Sequence, residues 1–557
     1  MTPSAALPVP VGPTAALLGH PGGPAEWIAV AACVLALAPA GLRWLRVAQR
    51  EHYLSGSVSR FAVRWWASEA GNVALAAVAL AGVVLSARWP LAALAPVGVA
   101  VVGPLHLSVK GRTSPLVPTR RLRSLAAAWL LLQAVVVVAG VLLGAPATFA
   151  AAGVVVAPAL VDVACAAMGP VERRLSSRFV RSAADRLRRV HPTVVAITGS
   201  YGKTSTKNHV AHLLAGTRSV VATPASFNNR AGLARAVNEH LGDGTEVFVA
   251  EMGTYGPGEI RDLCRWCPPD LAVITAIGPV HLERFGTEDA IVRAKSEIFE
   301  RASVAFLNVD DPRLADLAGR LAPGGGAGGT AERAEEAPGG GAAKLDPGGG
   351  AAKLEIVRCS ATDPTADVCI RRAGGAVTVT VAGRVVADAV PVGGGVQPTN
   401  LACAVAVAVR LGVDPADLGP RISSLPAVPN RLTSARATSG VLVIDDTFNS
   451  NPAGARAALG LLADAPVDRR RVVVTPGMVE LGRRQATENE AFAAAACGVA
   501  TDFVVVGRTN RRALRRGAAP LQPVLVGTRQ DAVTWVRTHL GPGDAVLYEN
   551  DLPDNYP

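Results

Sequence analysis

Charged residues vanish from four stretches in the first 170 positions: 27–42, 70–87, 89–109 and 124–161. A helix crossing the hydrocarbon core of a bilayer needs about 20 apolar residues. The last stretch is long enough for two such helices, hinged near Gly144, Ala145 and Pro146. The pattern predicts an α-helical membrane bundle of about five spans, at 26–42, 69–87, 89–109, 124–144 and 147–169. The first is short and the third holds three prolines, so four spans is the alternative reading. No Lys or Arg precedes residue 26, so the first span lacks the basic flank of a cleaved signal peptide. Asp162 falls inside the fifth span, where a carboxylate is either functional or paired with a loop arginine.

From residue 191 the texture changes. Short β-branched runs at 194–198, 246–250, 271–276 and 305–309 alternate with helical stretches. That alternation predicts parallel strands joined by crossover helices. A second set, at 441–445, 471–475, 503–506, 523–526 and 545–548, predicts a separate Rossmann-like α/β domain. Between them, 323–354 is low in complexity and carries a tandem repeat, 338–346 followed by 347–355. Such a composition buries too little apolar surface to order itself, and it is expected to be a flexible insert without chemistry.

Charge sharpens the picture. Residues 1–190 hold 18 Lys and Arg against 6 Asp and Glu, leaving 37 against 38 for the remainder. The net charge of +11 therefore belongs to segments flanking the apolar spans. No basic face is left in the rest of the chain to grip a phosphate backbone, so nucleic acid is not an expected partner. Arginines cluster after the first, third and fifth spans, whereas the other two loops hold only Arg88. The positive-inside rule then puts the N-terminus outside and everything after residue 170 in the cytoplasm, as part of a multi-pass protein of the cell membrane. Six of the eight tryptophans precede residue 130, mostly at span ends, where aromatic belts sit. The eight cysteines include one Cys-x-x-Cys, Cys264 and Cys267, with no second pair at zinc spacing, and read as reduced thiols.

The strongest motif is Ile197-Thr198-Gly199-Ser200-Tyr201-Gly202-Lys203-Thr204-Ser205, which follows a β-run and opens a helix. That context turns backbone N–H groups and a positive helix end towards an anion. Gly199 and Gly202 allow close approach of phosphates, Lys203 would reach the β- and γ-phosphates, and Thr204 would ligate Mg²⁺. Residue 197 is Ile where the longer Walker pattern has Gly, so the loop is a shortened variant of a P-loop in an ATPase domain with a parallel sheet. Glu251 ends the next run and His281 follows the one after. Together with the Thr204 hydroxyl they make a candidate Mg²⁺ set, although His is unusual for so hard a cation.

These blocks, in this order, resemble the Mur ligase family, and within it the MurF type. The resemblance rests on 198–205, Phe227-Asn228-Asn229, Ala250-Glu251-Met252-Gly253, 281–286, Ala294-Lys295-Ser296-Glu297-Ile298, 397–404, Asn430-Arg431-Leu432, 444–452 and 477–482. It spans about 195–510 and divides the chain into a transmembrane region, 1–170; a basic cytoplasmic linker, 171–190; a central ATP-binding domain, 191–428; and a C-terminal domain, 429–557. The resemblance implies that ATP phosphorylates a carboxylate and an amine attacks the acyl phosphate to form an amide. It implies that Gly199, Ser200, Gly202, Lys203, Thr204, Ser205, Asn400, Arg431, Asp445, Asp446, Asn449 and Asn451 bind the nucleotide. Lys203, His281 and Lys295 are implied to be catalytic, with Thr204, Glu251, His281 and Lys295 around Mg²⁺ and Lys295 carrying a carbamate. The substrates would be small-molecule or lipid-linked carboxylates and amines, as in peptidoglycan precursor synthesis. A poly-amino acid or specialised metabolite is the alternative product, and a membrane ATPase without ligation is the alternative class. Two features depart from the family. Apolar spans stand where its UDP-sugar domain would be, and Leu547-Tyr548-Glu549-Asn550-Asp551 stands where it carries Lys-Gly-Ser.

Overall fold

The structure is a computed structural model. It describes residues 23–552 and 556, apart from 108, 110–115, 226, 281, 323–353, 394, 427–432, 448–449 and 468. The expected insert therefore lies almost wholly outside the described residues. The chain divides into two units, residues 1–175 with 552–557, and residues 176–551.

The first unit is helical. Pro24–Arg50 and Arg120–Leu142 are each long and apolar enough to cross a membrane. Two further candidates are broken: Ser57–Trp66 and Ala70–Ser86 meet at 111°, and Pro146–Val155 and Ala157–Glu172 meet at 75°. Among the described residues, two helices, or up to four if each bent pair counts as one, are long and apolar enough to span, so the five expected are not confirmed and the four-span alternative stays open. The expected span at 89–109 is instead the short apolar helix Pro90–Val102, whose last turn gives way to extended backbone at Gly103 before Pro104. Proline removes an amide donor and clashes with the preceding turn, so this segment cannot continue as one helix.

The unit's core gathers Trp44, Phe61, Trp65 and Trp129. Phe61 meets Trp44 edge-on at 6.5 Å and stacks on Trp65 at 5.3 Å. Gly41 permits this packing, because a Cβ there would lie 2.7 Å from the Trp129 ring. Asp162 is buried, and its carboxylate accepts from the amides of Val58 (3.2 Å) and Ser59 (2.7 Å). Those amides open the helix Ser57–Trp66, whose preceding residue Gly56 has no side chain to cap it. Asp162 thus caps a neighbouring helix from a distance.

The second unit holds two sheets. The first has nine strands: β1 Thr193–Thr198, β2 Val220–Ala222, β3 Val247–Glu251, β4 Leu271–Ile274, β5 Val304–Asn308, β6 Glu355–Ser360, β7 Val368–Ala373, β8 Ala376–Val381 and β9 Arg384–Pro391. Their order is β2-β3-β1-β4-β5-β6-β7-β8-β9. The neighbours are parallel as far as β7, after which β7–β8 and β8–β9 run antiparallel. Strand alternation feeds two apolar layers, one per face. Val194 and Ala196 join one cluster, with Leu233, Val237 and Ile260. Val195 and Ile197 join the other, with Val210, Leu213 and the buried helix Pro398–Arg410. Strands covered on both faces read as continuous apolar runs, which is why β1, β3, β4 and β5 are legible in the sequence.

The second sheet comprises β10 Thr433–Arg436, β11 Leu442–Asp446, β12 Arg471–Thr475, β13 Asp502–Val506, β14 Val524–Val526 and β15 Ala545–Glu549. Its order is β10-β11-β15-β12-β13-β14, parallel except for β10. Short β2, the antiparallel edge β8–β9 and polar β10 are not foreseen from the pattern, since edge strands carry fewer apolar positions.

Candidate functional site

The phosphate-type loop connects β1 to the helix Lys203–Leu214. Gly202 adopts φ +78°, and a Cβ there would collide with the Asn400 side chain. Gly199 is similarly confined, against the Thr275 hydroxyl. Both glycines are therefore demanded by space as well as by backbone conformation. Lys203 Nζ donates to the Gly199 carbonyl at 2.7 Å, so the ammonium folds back over the loop. Ser200 Oγ accepts from the Gly278 amide at 3.0 Å, tying the loop to the segment after β4. Ser205 is half-buried in the helix's first turn. Tyr201 is half-buried in the loop with its hydroxyl out of water, and desolvation pushes that hydroxyl's pKa up.

Parallel pairing of β1 with β3 aligns Ile197 with Glu251, which sets that carboxylate beside the loop. Glu251 is 1% exposed. Its Oε2 accepts from Thr204 Oγ1 at 3.0 Å and lies 3.2 Å from Lys207 Nζ; its Oε1 accepts from Asn228 Nδ2 at 3.1 Å. Lys207 also donates to the Ala225 carbonyl at 2.7 Å. Sequence reasoning gave Lys207 no part. Its signal is the i, i+3 spacing from Thr204, which puts both on one face of the helix.

Lys295 lies near the end of the helix Glu288–Ser296 and is 3% exposed. Burial, with the nearby positive charge of Lys203, pushes its ammonium well below the ordinary lysine range. Asn400, buried in the first turn of Pro398–Arg410, presses on Gly202. The structure thus brings Gly199, Gly202, Lys203, Thr204, Glu251, Lys295 and Asn400 around one loop. His281, Arg431 and Asn449 lie outside the described residues. Among the described residues no three His, Cys, Asp or Glu side chains form a metal-binding group. All eight cysteines are unbonded.

The remaining predicted residues sit on the second sheet. Asp445 and Asp446 end β11. Asp445 accepts from the Thr447 amide (3.1 Å) and hydroxyl (2.6 Å). Asn451 caps the helix Pro452–Ala463, its Oδ1 accepting from the Gly454 amide at 2.9 Å. Asp446 is buried and paired in register with Glu549 at the end of β15. Glu549 is fully buried and accepts hydrogen bonds from Ser450 and Thr475. Burial raises its acid to about 8, Asp446 adds to the rise and the Thr475 hydrogen bond opposes it. Glu549 lies in the 547–551 segment that departs from the family pattern. The two sheets are joined by Arg484, which bridges Glu288 (3.0 Å) and Glu488.

A glycine loop between a parallel strand and a helix, with a lysine and a hydroxyl at the helix start and a carboxylate on the adjacent strand, defines a nucleotide-binding α/β protein of the P-loop class. Residues 197–326 match the Mur ligase middle domain, and residues 430–548 match the Mur ligase glutamate ligase domain. The UDP-N-acetylmuramoyl-tripeptide–D-alanyl-D-alanine ligase of Mycobacterium leprae is 31% identical over 389 residues, covering 64% of this chain and 70% of the relative. A crystal structure of MurF from Acinetobacter baumannii is 25% identical with TM-score 0.54, covering 67% of this chain and 77% of that one. MurF from Thermotoga maritima, solved in complex with ADP, is 24% identical with TM-score 0.54, covering 67% and 80%. The chain belongs to the Mur ligase family, whose MurF relatives are ATP-dependent acid–amino-acid ligases.

Proposed function

We propose that this chain joins a carboxylate to an amine at the cytoplasmic face of a membrane, with ATP supplying the activation. The carboxylate substrate that best fits its relatives is a UDP-N-acetylmuramoyl-tripeptide, and the amine is D-alanyl-D-alanine, as the mycobacterial relative's name has it. The observation that carries the reading is the Lys203–Thr204–Glu251 arrangement at the end of β1 and β3.

In this reading the loop amides and Lys203 hold the triphosphate, and Lys203 swings from the Gly199 carbonyl to the transferring phosphoryl group. Thr204 and Glu251 offer two hard oxygen donors in contact, a set that suits Mg²⁺. The metal would neutralise charge on the phosphates. Lys207 pairs with the Glu251 carboxylate and orients it. Asn400, Asp445, Asp446, Asn451 and the undescribed Arg431 and Asn449 are assigned to the nucleotide, and undescribed His281 to Mg²⁺. A neutral Lys295 amine is the form that can take up CO₂, so its burial supports the carbamate reading. The acyl phosphate formed from the substrate carboxylate is then attacked by the amine, releasing phosphate and leaving an amide.

Membrane placement rests on the apolar exterior of the helical unit. Leu35, Val84, Leu131 and Leu142 are 75%, 72%, 67% and 80% exposed. Faces of that kind are stable against hydrocarbon and not against water. The helical unit also favours a second substrate reading, in which the same chemistry runs on a different carboxylate.

The test uses the purified full chain with ATP and a panel of carboxylates and amines. Phosphate release that requires both UDP-N-acetylmuramoyl-tripeptide and D-alanyl-D-alanine is the expected result. Release only with another pair removes the substrate assignment, and no release with any pair removes the ligase reading.

A further inference from the structure

The helical unit carries a half-open pocket of about 470 Å³. Small and apolar side chains wall it, among them Ala79, Val99 and Val155, together with Trp44 and Trp66. Arg43 is the one charged residue among its described lining. It is 3% exposed. Its guanidinium donates to the carbonyls of Ala100 (2.9 Å), Val101 (3.3 Å), Leu107 (3.3 Å) and Gly103. These bonds use four of its five N–H donors. Carbonyl dipoles do not cancel a full charge, and a buried charge without a counter-ion is costly.

Among the described residues, no acid of this unit pairs with Arg43. Glu69 lies 3.6 Å from His106, Glu172 lies 2.6 Å from Arg121, and Asp162 holds the amides of Val58 and Ser59. Glu26 is in the first turn of Arg43's own helix, far from Arg43, and Glu51 follows its last turn. The pocket is half open, and its apolar walls give water few partners.

We propose that the cavity holds one chain of an acidic membrane phospholipid, with the headgroup phosphate against Arg43. The proposal rests on the membrane placement argued above. Each buried methylene contributes about 0.8 kcal/mol, and the one Arg43 N–H not given to a carbonyl can donate a charge-assisted hydrogen bond to the phosphate. Arg43 also lies towards the end of its helix that carries Arg46 and Arg50, the side where acidic lipids concentrate. The lipid is a resident component of the helical unit, not a substrate.

The experiment fractionates cells making the full chain, extracts it in mild detergent, incubates it with equal amounts of phosphatidylglycerol and phosphatidylcholine, and counts retained lipid by native mass spectrometry. Wild type should retain one phosphatidylglycerol in preference to phosphatidylcholine. Arg43→Gln should lower the ratio of the two lipids about tenfold, and Arg43→Lys should restore part of it. Ala79→Phe, which narrows the cavity without touching the charge, should lower retention of both. Equal retention of the two lipids by wild type would overturn the proposal. So would unchanged retention in both Arg43→Gln and Ala79→Phe. Recovery of the chain in the soluble fraction would instead remove the membrane placement itself.

Discussion

Three donors converge on the Glu251 carboxylate: Thr204, Asn228 and the Lys207 ammonium. Lys207 and Glu251 are both almost wholly buried, so removing one leaves the other as an uncompensated charge. Lys207→Met should lower stability by about 3–5 kcal/mol, read as a fall in Tm, because breaking a buried pair costs far more than the pair contributes. Lys203→Ala should behave differently. The Lys203 side chain is only half-buried, so the fold should survive, while ATP turnover falls at least 100-fold with the loss of a cation aimed at the transferring phosphoryl group. Near-normal phosphate release by that variant would remove the nucleotide role of the loop. Lys295→Ala should be nearly inactive, with partial recovery on addition of a short carboxylate. Bicarbonate depletion should slow the wild type and leave the variant unchanged. A depletion-insensitive wild type would end the carbamate reading and leave the ligase reading standing.

At the scale of elements, the strand ends decide which side chains meet. Glu549 ends β15 between β11 and β12, so a single-residue reading misses that it faces Asp446. Its acid titrates near 8 in the fold against an ordinary 4.5. The folded protein therefore binds this proton more tightly than the unfolded chain does. The contribution to stability is fully present below about 4.5 and is lost as pH rises towards 8. Thermal midpoints measured across that window should fall with pH in the wild type, and Glu549→Gln should flatten the slope. Among helices, Asp162→Ala should cost about 1 kcal/mol, as loss of an N-cap does elsewhere. Its readout is thermal unfolding in detergent.

For the whole molecule, the membrane placement proposed above predicts that the protein is recovered with membranes. A reporter fused after Pro557 should be active in the cytoplasm. Activity only on the far side of the membrane would reverse the orientation argued from the Arg-rich segments. Among the described residues the five expected spans are not confirmed, since two of the candidate spans are broken pairs and one stretch holds only a short helix. Composition reports hydrophobicity over a window. It does not report where proline and tight packing bend a helix.

The sequence alone determined the class of the second unit. Central parallel strands are buried on both faces and so read as apolar runs, and the Gly-x-x-Gly-Lys-Thr spacing is a local demand of phosphate binding that needs no distant partner. It also put Glu251 at a strand's C-terminal end beside the loop, where the structure has it, because ligands of such sheets collect outside the carboxyl ends of the strands. Only the tertiary structure decided the rest. Lys207 meets Glu251, Asn400 meets Gly202, Glu549 meets Asp446 and Asp162 meets the amides of Val58 and Ser59 through chain separations that no periodicity encodes. Each of those meetings involves a polar group removed from water. The cost of leaving it unpartnered is what selects its neighbour, and that neighbour exists only once the sheets and helices are assembled.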